Sequence, residues 1–456
     1  MNTVIAERPA AQSAGEYHFP AIERRVVAGL DVVAAHLPGR ALASIAVLVR
    51  NGMAYEPIES AGISQLTARL LAEGTTTRDA EEWALAVEAR GVGLGTGVSW
   101  NTVRLNLSGP AYQLTDASSL LGESFLSPRL DPDDIVRLRT ERVESLRMQW
   151  ARPGTRGNAA FRRILYGTDT RYGWTDSGTP QSNARIEPDQ LREIHRAWVS
   201  SSATLVIAGD LDLLDVDTIA ARLTAEGVRS HPVEVTPPDE PAGVPVVVLI
   251  DRPGAAQSSV ILGHRGPSRA NPDYAAITTT GAVLGGSFNS RLNHRLREET
   301  GVAYGAQASF DMGRYSGELR ARSEVRTDAT SSAVLDAVEE IRRLHADGVG
   351  ADEARDALAY QIGVFAASLE TPNAIAGALT TIVNHDLPDD YHARLRAELA
   401  TLTKADLDAA AQNYLDPSRL SVVIEGDLAV FRDDIEAAGL GEVRVLDADA
   451  LIAIDQ

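Results

Sequence analysis

The chain has 456 residues, 44% of them apolar, and a formal net charge of −20, which predicts a globular protein of more than one compact unit. It contains no cysteine, so disulfides, thiolate metal sites and a cysteine nucleophile are excluded. The acidic balance argues against nucleic acid as a partner, because nucleic-acid binding depends on contacts of Lys and Arg with phosphate.

The first 15 residues are rich in small side chains and predict a disordered N-terminal tail. They lack the cationic head and apolar core of a secretory signal, and no run of 18 apolar residues occurs in the chain. We therefore expect a cytoplasmic protein with no membrane-spanning segment and no membrane partner.

Residues 16–228 predict a first domain in which strands alternate with amphipathic helices. The helix over Ile63–Glu73 has apolar side chains on one face, and Gly74 follows it as a C-cap would. In chain order, strands are predicted at 26–27, 31–35, 44–49, 98–100 and 103–107, and helices at 63–73, 116–126 and 131–150.

Residues 229–245 contain five prolines, a composition that predicts a linker rather than a helix or a central strand. A second domain over residues 246–456 then repeats the order of elements of the first. In chain order, strands are predicted at 246–251, 258–263, 304–310 and 317–325, and helices at 273–284 and 331–347.

The two predicted domains also end in similar segments. The first ends in EPDQLREIHRAWVSSSATLVIAGD and the second in KADLDAAAQNYLDPSRLSVVIEGD. Each has an acidic helix start, an aromatic residue (Trp198 or Tyr414) and a β-branched strand that stops at Gly-Asp. This internal repeat predicts an α+β protein of two homologous tandem domains, each a mainly antiparallel sheet with helices packed on one face.

Three segments carry a more specific pattern. The first is VRNGMAYEPIESAGISQLTARLLAEGTTTR over Val49–Arg78, the second is LGGSFNSRLNHRLREETGVAYGAQASF over Leu284–Phe310, and the third is the Gly-Asp repeat. With these segments the chain resembles the pitrilysin-type (inverzincin, M16) peptidases over nearly its whole length. The resemblance implies the half-clam fold of that family.

The zinc motif of that family is absent from the matching helix. The family uses H-x-x-E-H, with two His ligands and a Glu that acts as general base, whereas the matching positions here hold Gln65, Ala68 and Arg69. The third ligand, a Glu on a later helix, falls close to Met148. None of the nine His residues shows the spacing of ligands on one helix face, so we expect no metal in this chain.

The second half keeps the pattern L-R-x-x-x-G-x-x-Y, with Arg297 and Tyr304. The resemblance implies that a subunit without zinc donates this pair to its partner's active site, where a Tyr hydroxyl would stabilise the oxyanion and a guanidinium would hold peptide carbonyls. Two other interpretations stay open. Arg297 could belong to a solvated salt-bridge network with Glu298 and Glu299, and Tyr304 could be a half-buried strand aromatic.

Gly285, Gly286, Ser287 and Phe288 precede this pattern. Adjacent glycines allow a positive φ and a close approach of backbones, which suits a substrate-binding loop. An ordinary helix–loop turn explains the same residues nearly as well, so both interpretations of the loop are retained.

The resemblance implies the non-zinc-binding subunit of a heterodimeric zinc metalloendopeptidase that hydrolyses peptides. Its partner would be a homologous subunit with an intact H-x-x-E-H motif, which would hold the zinc. The chief alternative is a catalytically inert peptide-binding or scaffold protein with the same fold, and a peptide-binding homodimer is a third. Retention of both Arg297 and Tyr304 favours the first, because a scaffold has no need of them.

Overall fold

The computed structural model describes residues 18–224, called the first half below, and residues 245–451, called the second half. The tail expected over residues 1–15 lies outside the described residues. The linker predicted over residues 229–245 also lies outside them, apart from Pro245.

Each half forms one six-stranded sheet. The first-half strands are β1 Ile22–Val27, β2 Leu30–His36, β3 Leu42–Val49, β4 Gly93–Val98, β5 Val103–Pro110 and β6 Ala203–Gly209. The second-half strands are β7 Val246–Asp251, β8 Gln257–Gly266, β9 Ala303–Met312, β10 Gly317–Arg326, β11 Ser421–Gly426 and β12 Glu442–Leu446.

Helices of both halves pack on the two sheets. The first-half helices are α1 Ile63–Leu70, α2 Ala80–Glu88, α3 Ala111–Leu126, α4 Pro132–Trp150, α5 Thr155–Tyr166, α6 Pro180–Ala184, α7 Pro188–Ser200 and α8 Val216–Arg222. The second-half helices are α9 Tyr274–Gly281, α10 Arg291–Asn293, α11 Thr330–Asp347, α12 Ala351–Ala367, α13 Pro372–His385, α14 Tyr391–Thr401, α15 Lys404–Tyr414 and α16 Leu428–Ala437. Two π-helical segments, Ala282–Gly286 and His294–Glu299, continue α9 and α10.

The two sheets share five strands in the same order. The first runs β1-β2-β6-β3-β5-β4 and the second runs β12-β7-β11-β8-β10-β9. β2 lies parallel to β6, as β7 does to β11, and the other shared pairs are antiparallel. The sixth strand differs, because β1 is a hairpin partner of β2 whereas β12 lies parallel to β7. The predicted α+β fold of two homologous domains is confirmed.

A hydrophobic core lies between each sheet and its own helices. In the first half, strand residues such as Val47 and Leu105 pack with Leu121 of α3. In the second half, Leu319 packs with Ile341 of α11. Alternation along the strands places these side chains on the helix-covered face.

One helix of each half crosses to the remaining face of the other half's sheet. α5 packs on β8 and β11, in a core that contains Ile261 and Val423, and α13 packs on β3 and β6. The buried carboxylate of Glu425 on β11 accepts hydrogen bonds from Gly154 N at 3.0 Å and from Arg156 Nε at 3.0 Å. A helix N-terminus favours this negative charge, so the exchange of helices interlocks the two halves.

Several predicted boundaries are wrong. β1 begins at Ile22 rather than 26, and α3 begins at Ala111 rather than 116. β4 covers Gly93–Val98 rather than 98–100, because Ser99 and Thr102 close the hairpin turn, with Ser99 N donating to Thr102 O at 2.8 Å. Glycine at every second position lowers strand propensity, which hid this strand. α1 ends at Leu70 rather than Glu73.

Among the described residues, no single helix has both the length and the apolar character of a membrane span. α12 and α13 pass that test only as a pair, and the chain bends by 111° between them. Ile375 and Leu379 of α13 are buried in the core against the first sheet.

Candidate functional site

A cleft of about 1070 Å³ lies between the two halves. The first half lines it with the end of α4, the start of α5 and the loop at Thr175–Gly178, and the second half lines it with β8, β9 and β10. All six residues singled out from the sequence line this cleft: Gly285, Gly286, Ser287, Phe288, Arg297 and Tyr304. The structure therefore brings the loop and the Arg/Tyr pair into one surface.

Arg297 stacks between two aromatic rings. Its guanidinium carbon lies 4.4 Å from the ring centre of Phe288 and 5.6 Å from that of Tyr304, distances at which cation–π attraction acts. Both rings face solvent, with 65% of Phe288 and 91% of Tyr304 exposed. The three side chains form an exposed stack on the wall of the cleft.

Arg297 has no hydrogen-bond or ion-pair partner among the described residues, although its neighbours have several. Arg291 pairs with Glu353 at 2.7 Å, and Arg295 pairs with Glu299 at 2.8 Å. The interpretation of Arg297 as a member of this salt-bridge network is therefore wrong. Tyr304, at 91% exposed, is likewise not a half-buried strand aromatic.

Local sequence explains this placement. Leu296 is buried in the second-half core and fixes the helical turn, so the next side chain, Arg297, is directed out of the core. Gly301 has a φ of +64°, which a side chain with Cβ adopts only under strain. Its turn ends with Val302 N donating to Leu296 O at 3.0 Å, and β9 begins at Ala303, directly before the exposed Tyr304.

Gly285 and Gly286, called the Gly-Gly loop below, end the π-helical segment Ala282–Gly286 and pack against β9. A Cβ added to Gly285 would lie 2.3 Å from Ala308 N, a distance that real Cβ atoms do not reach. A Cβ on Gly286 would meet its nearest neighbour at 3.4 Å. Gly285 is therefore required by close packing of the loop on the strand, while Gly286 is under less pressure.

The floor of the cleft is the open face of β8 and β10, and it is polar. Arg320, Arg322 and Glu324 alternate along β10 and all line the cleft. Arg320 pairs with Glu318 at 2.8 Å, and Arg322 Nε donates to Gln307 Oε1 at 3.0 Å. Partial burial raises the pKa of Glu324. The cleft thus joins a polar floor to an aromatic wall, which suits a peptide with both kinds of surface.

At the positions that match the zinc motif, Gln65 and Arg69 form hydrogen bonds with other side chains of this chain. Arg142 on α4 donates from Nη2 to Gln65 Oε1 at 2.6 Å and from Nε to Asn183 Oδ1 at 2.6 Å. Arg69 donates to Glu141 Oε2 at 2.8 Å. A guanidinium placed where a cation would bind, with no His ligand and no general base, does not fit zinc. We derive no metal chemistry from this half.

Met148, which matches the position of the third ligand, is 64% exposed. It lies six residues after Arg142, roughly 9 Å further along the helix axis. A Met at this position adds no carboxylate ligand for zinc.

A second group of potential ligands lies far from the cleft. Among the described residues, His36, Asp210 and Asp212 have ligand atoms within 4.8 Å of one another. His36 Nδ1 accepts from Leu211 N at 3.1 Å, and Asp210 Oδ2 accepts from Gly39 N at 2.8 Å. These atoms hold the turns that follow β2 and β6, and they explain the Gly-Asp that ends β6.

Sequence reasoning missed part of the cleft lining. Trp150, Asn158 and Asp176 come from the first half, and no local pattern indicated that they face the second half. Asn293 also lines the cleft. Its position between Arg291 and Arg297, inside the segment already recognised, was a signal that could have found it.

Comparisons with known proteins agree with this fold. Residues 31–168 match the family described as "Insulinase (Peptidase family M16)", and residues 185–360 match the family described as "Peptidase M16 inactive domain". Together the two matches cover most of the chain. They correspond to the body of the first half and to the segment that carries the cleft loop and the Arg/Tyr pair.

Similar sequences and structures span nearly the whole chain. An uncharacterized zinc protease of Mycobacterium leprae is 27% identical over 81% of this chain and 82% of its own length. A protein of Helicobacter pylori named as a non-peptidase homolog is 20% identical over 82% of this chain and 87% of its own length. The crystal structure of a peptidase M16 inactive domain from Pseudomonas fluorescens superposes with a TM-score of 0.82 at 22% identity, covering 89% of this chain and 98% of that one.

Proposed function

This chain belongs to the M16 peptidase family, and we propose that within it the chain is the zinc-free subunit of a two-subunit metalloendopeptidase. The observation that carries the proposal is the contrast between the two halves. At the motif positions of the first half, the polar side chains form hydrogen bonds within the chain. In the second half, Arg297 and Tyr304 line an open cleft. The relatives include both a zinc protease and a non-peptidase homolog, so the proposal rests on the side chains of this chain.

The first half argues against hydrolysis by this chain alone. Peptide hydrolysis by this family requires a metal-activated water and a general base beside it. Ala68 offers no base, and the guanidinium groups of Arg69 and Arg142 occupy the ligand region. The attacking water and the zinc that activates it would therefore come from a homologous partner with an intact H-x-x-E-H motif.

The second half supplies what such a partner can use. Negative charge develops on the carbonyl oxygen of the scissile peptide as it is attacked, and a hydroxyl donor aimed at that oxygen stabilises it. Tyr304 is 91% exposed, so its hydroxyl is accessible to a molecule outside this chain. Arg297, with no partner of its own, can donate two parallel hydrogen bonds to substrate carbonyls.

The cleft supports a peptide as the ligand. Its volume of about 1070 Å³ is at the upper end for ligand sites. Gly286 is exposed and has no Cβ, so another backbone can approach it closely. Phe288 and Tyr304 offer exposed rings for apolar side chains, and the polar floor of β10 can bind the peptide groups.

The test is reconstitution with a zinc-bearing M16 homologue. Each chain is purified alone, zinc is measured by elemental analysis, and cleavage of a quenched fluorescent peptide is followed for each chain and for the mixture. We expect no stoichiometric zinc and no cleavage for this chain alone, and full activity only for the mixture.

Two outcomes contradict the proposal. One equivalent of zinc with chelator-sensitive cleavage by this chain alone would place the chemistry here. A homologue that cleaves at the full rate without this chain would leave the inert peptide-binding or scaffold protein as the better interpretation. Sedimentation of this chain alone as a peptide-binding dimer would favour the homodimer.

A further inference from the structure

Asn293 lies at the junction of the pieces that carry the candidate site. Only 8% of the residue is exposed. Its Oδ1 accepts a hydrogen bond from Ala306 N at 2.9 Å, and its Nδ2 donates to Ala306 O at 2.9 Å. Nδ2 also lies 3.1 Å from Ser287 O and 3.1 Å from Ser290 Oγ. Both hydrogens of Nδ2 and one lone pair of Oδ1 are therefore used inside this segment.

The contact with Ala306 fixes an edge strand. β9 is the last strand of the second sheet, so its outer backbone groups have no neighbouring strand. Asn293 pairs with both the N–H and the C=O of Ala306, as a hydrogen-bonded residue of an adjacent strand would. Tyr304 lies two residues before Ala306, where the pairing of β9 with β10 is irregular, between Ala303 opposite Val325 and Ala306 opposite Ser323.

The same amide holds the loop and the helix. Ser287 adjoins Phe288, whose ring stacks on the guanidinium of Arg297 at 4.4 Å. Asn293 itself precedes Arg297 by one helical turn, on the helical run that begins at Arg291. One buried side chain thus connects the strand of Tyr304, the loop of Phe288 and the helix of Arg297.

We infer that Asn293 is the positioning residue that sets the placement of Tyr304 relative to Arg297 and Phe288 in the cleft. The inference rests on the proposed function, because it assigns Asn293 a task in the same site. A solely structural role is the competing explanation. It predicts that loss of the amide lowers stability without a specific effect on the part of catalysis that depends on Tyr304.

The first experiment uses this chain alone. Hydrogen–deuterium exchange of Asn293→Ala should show the amide of Ala306 exchanging at least about tenfold faster, since its acceptor is gone, while the first-half strands exchange as in the parent. The matched control is Asn101→Ala, a residue 5% exposed whose Nδ2 donates to Tyr172 Oη at 3.3 Å. That variant should leave the exchange of Ala306 unchanged. Unchanged exchange of Ala306 in Asn293→Ala would overturn the inference.

The second experiment is a double-mutant cycle in the assembled pair. At a temperature where both chains stay folded, Asn293→Ala should lower kcat by roughly 10- to 100-fold, the cost of a misplaced group. Tyr304→Phe should then cost far less in that background than in the parent, because the two residues act through the same hydroxyl. If Tyr304→Phe is costly in the parent and the two losses simply add, the inference alone fails. If Tyr304→Phe has no effect in the parent, the proposed function fails and this inference fails with it.

Discussion

Helix α1 follows β3 of the first half, and the segment from Gly285 to Tyr304 lies after β8, the equivalent strand of the second half. At α1, polar side chains find partners inside the chain, as Gln65 does with Arg142 at 2.6 Å. In the second half, Arg297 contacts two aromatic rings and has no hydrogen-bond or ion-pair partner among the described residues, and Tyr304 is 91% exposed.

This difference separates two uses of polar residues. A polar group satisfied within the fold contributes to stability, and leaving its partner unpaired costs free energy. A charged group without a partner contributes little to stability and is available to another molecule. Substitutions at the two places should therefore change different measured quantities.

The largest expected effect is that of Tyr304→Phe in the assembled pair. Loss of the hydroxyl should lower kcat by roughly 100- to 1000-fold, the cost of one oxyanion donor, because volume and packing hardly change. The measurement is steady-state peptide cleavage, with dimer formation checked by sedimentation. The control is Tyr112→Phe, an exposed tyrosine of the first half, which should keep the parental rate. A parental rate in Tyr304→Phe with a normal dimer would mean that the exposed Tyr304 of the second half takes no part in catalysis.

Arg297→Ala should come next and act mainly on KM. A guanidinium that holds substrate carbonyls does so before the reaction as well as during it, so we expect KM to rise by about 10- to 100-fold. Arg297→Lys should restore only part of this, because an ammonium lacks the planar fork. The free energy of unfolding should fall by no more than about 1 kcal/mol, the value of exposed cation–π contacts, since the side chain has no hydrogen-bond or ion-pair partner among the described residues. A fall in thermal stability equal to that of a core substitution would show that Arg297 is structural.

Arg142→Ala tests the first half, where polar side chains near the motif positions have partners within the chain. Loss of its charged hydrogen bonds to Gln65 and Asn183 should lower the free energy of unfolding by roughly 1.5–3 kcal/mol, with kcat of the assembled pair unchanged at temperatures where the chain is folded. The matched control is Arg147→Ala on the same helix, which breaks only an exposed pair with Glu144 and should cost well under 1 kcal/mol. A selective loss of turnover in Arg142→Ala would mean that the first half takes part in catalysis.

The joint between the halves should be sensitive to acid. There, Arg50, which follows β3, and Arg314 of the second half both donate to Asp386, and burial, with the charges of Arg269 and Arg314, lowers the pKa of the adjacent His385 to about 4. A folded pKa below the unfolded value of about 6.5 gives stability that is complete above pH 6.5 and is lost as the pH falls toward 4.

Between pH 7 and pH 5 this single group should remove about 2 kcal/mol from the free energy of unfolding. Denaturant unfolding at the two pH values measures it, and His385→Gln should flatten that part of the dependence. His294→Gln, an exposed histidine of the second half, is the control and should keep the parental slope. Equal slopes in His385→Gln and the parent would contradict the prediction.

Much of the fold could be predicted because it depends on local patterns. The repeated Gly-Asp strand ends and the helical periodicity of segments such as Asp116–Leu126 indicated two equivalent halves, and the structure has them. β4 escaped because its alternating glycines weaken strand propensity. The crossing of α5 onto the second sheet escaped as well, since a carboxylate 271 residues away, that of Glu425, holds its first turn at Gly154.

The candidate site divides in the same way. The sequence alone shows which residue types are present. Gln65, Ala68 and Arg69 do not form a set of zinc ligands, and an Arg and a Tyr lie seven positions apart after Gly285 and Gly286. Residue identity and short spacing are enough to recognise a ligand or a hydrogen-bond donor, because its chemistry comes from the side chain and its position on a helix comes from the spacing. Which of these polar groups have a hydrogen-bond or ion-pair partner depends on the tertiary structure. Whether Arg297 meets a carboxylate or solvent, and whether Arg142 reaches Gln65, depends on which elements lie opposite once the sheets have paired and the helices have exchanged.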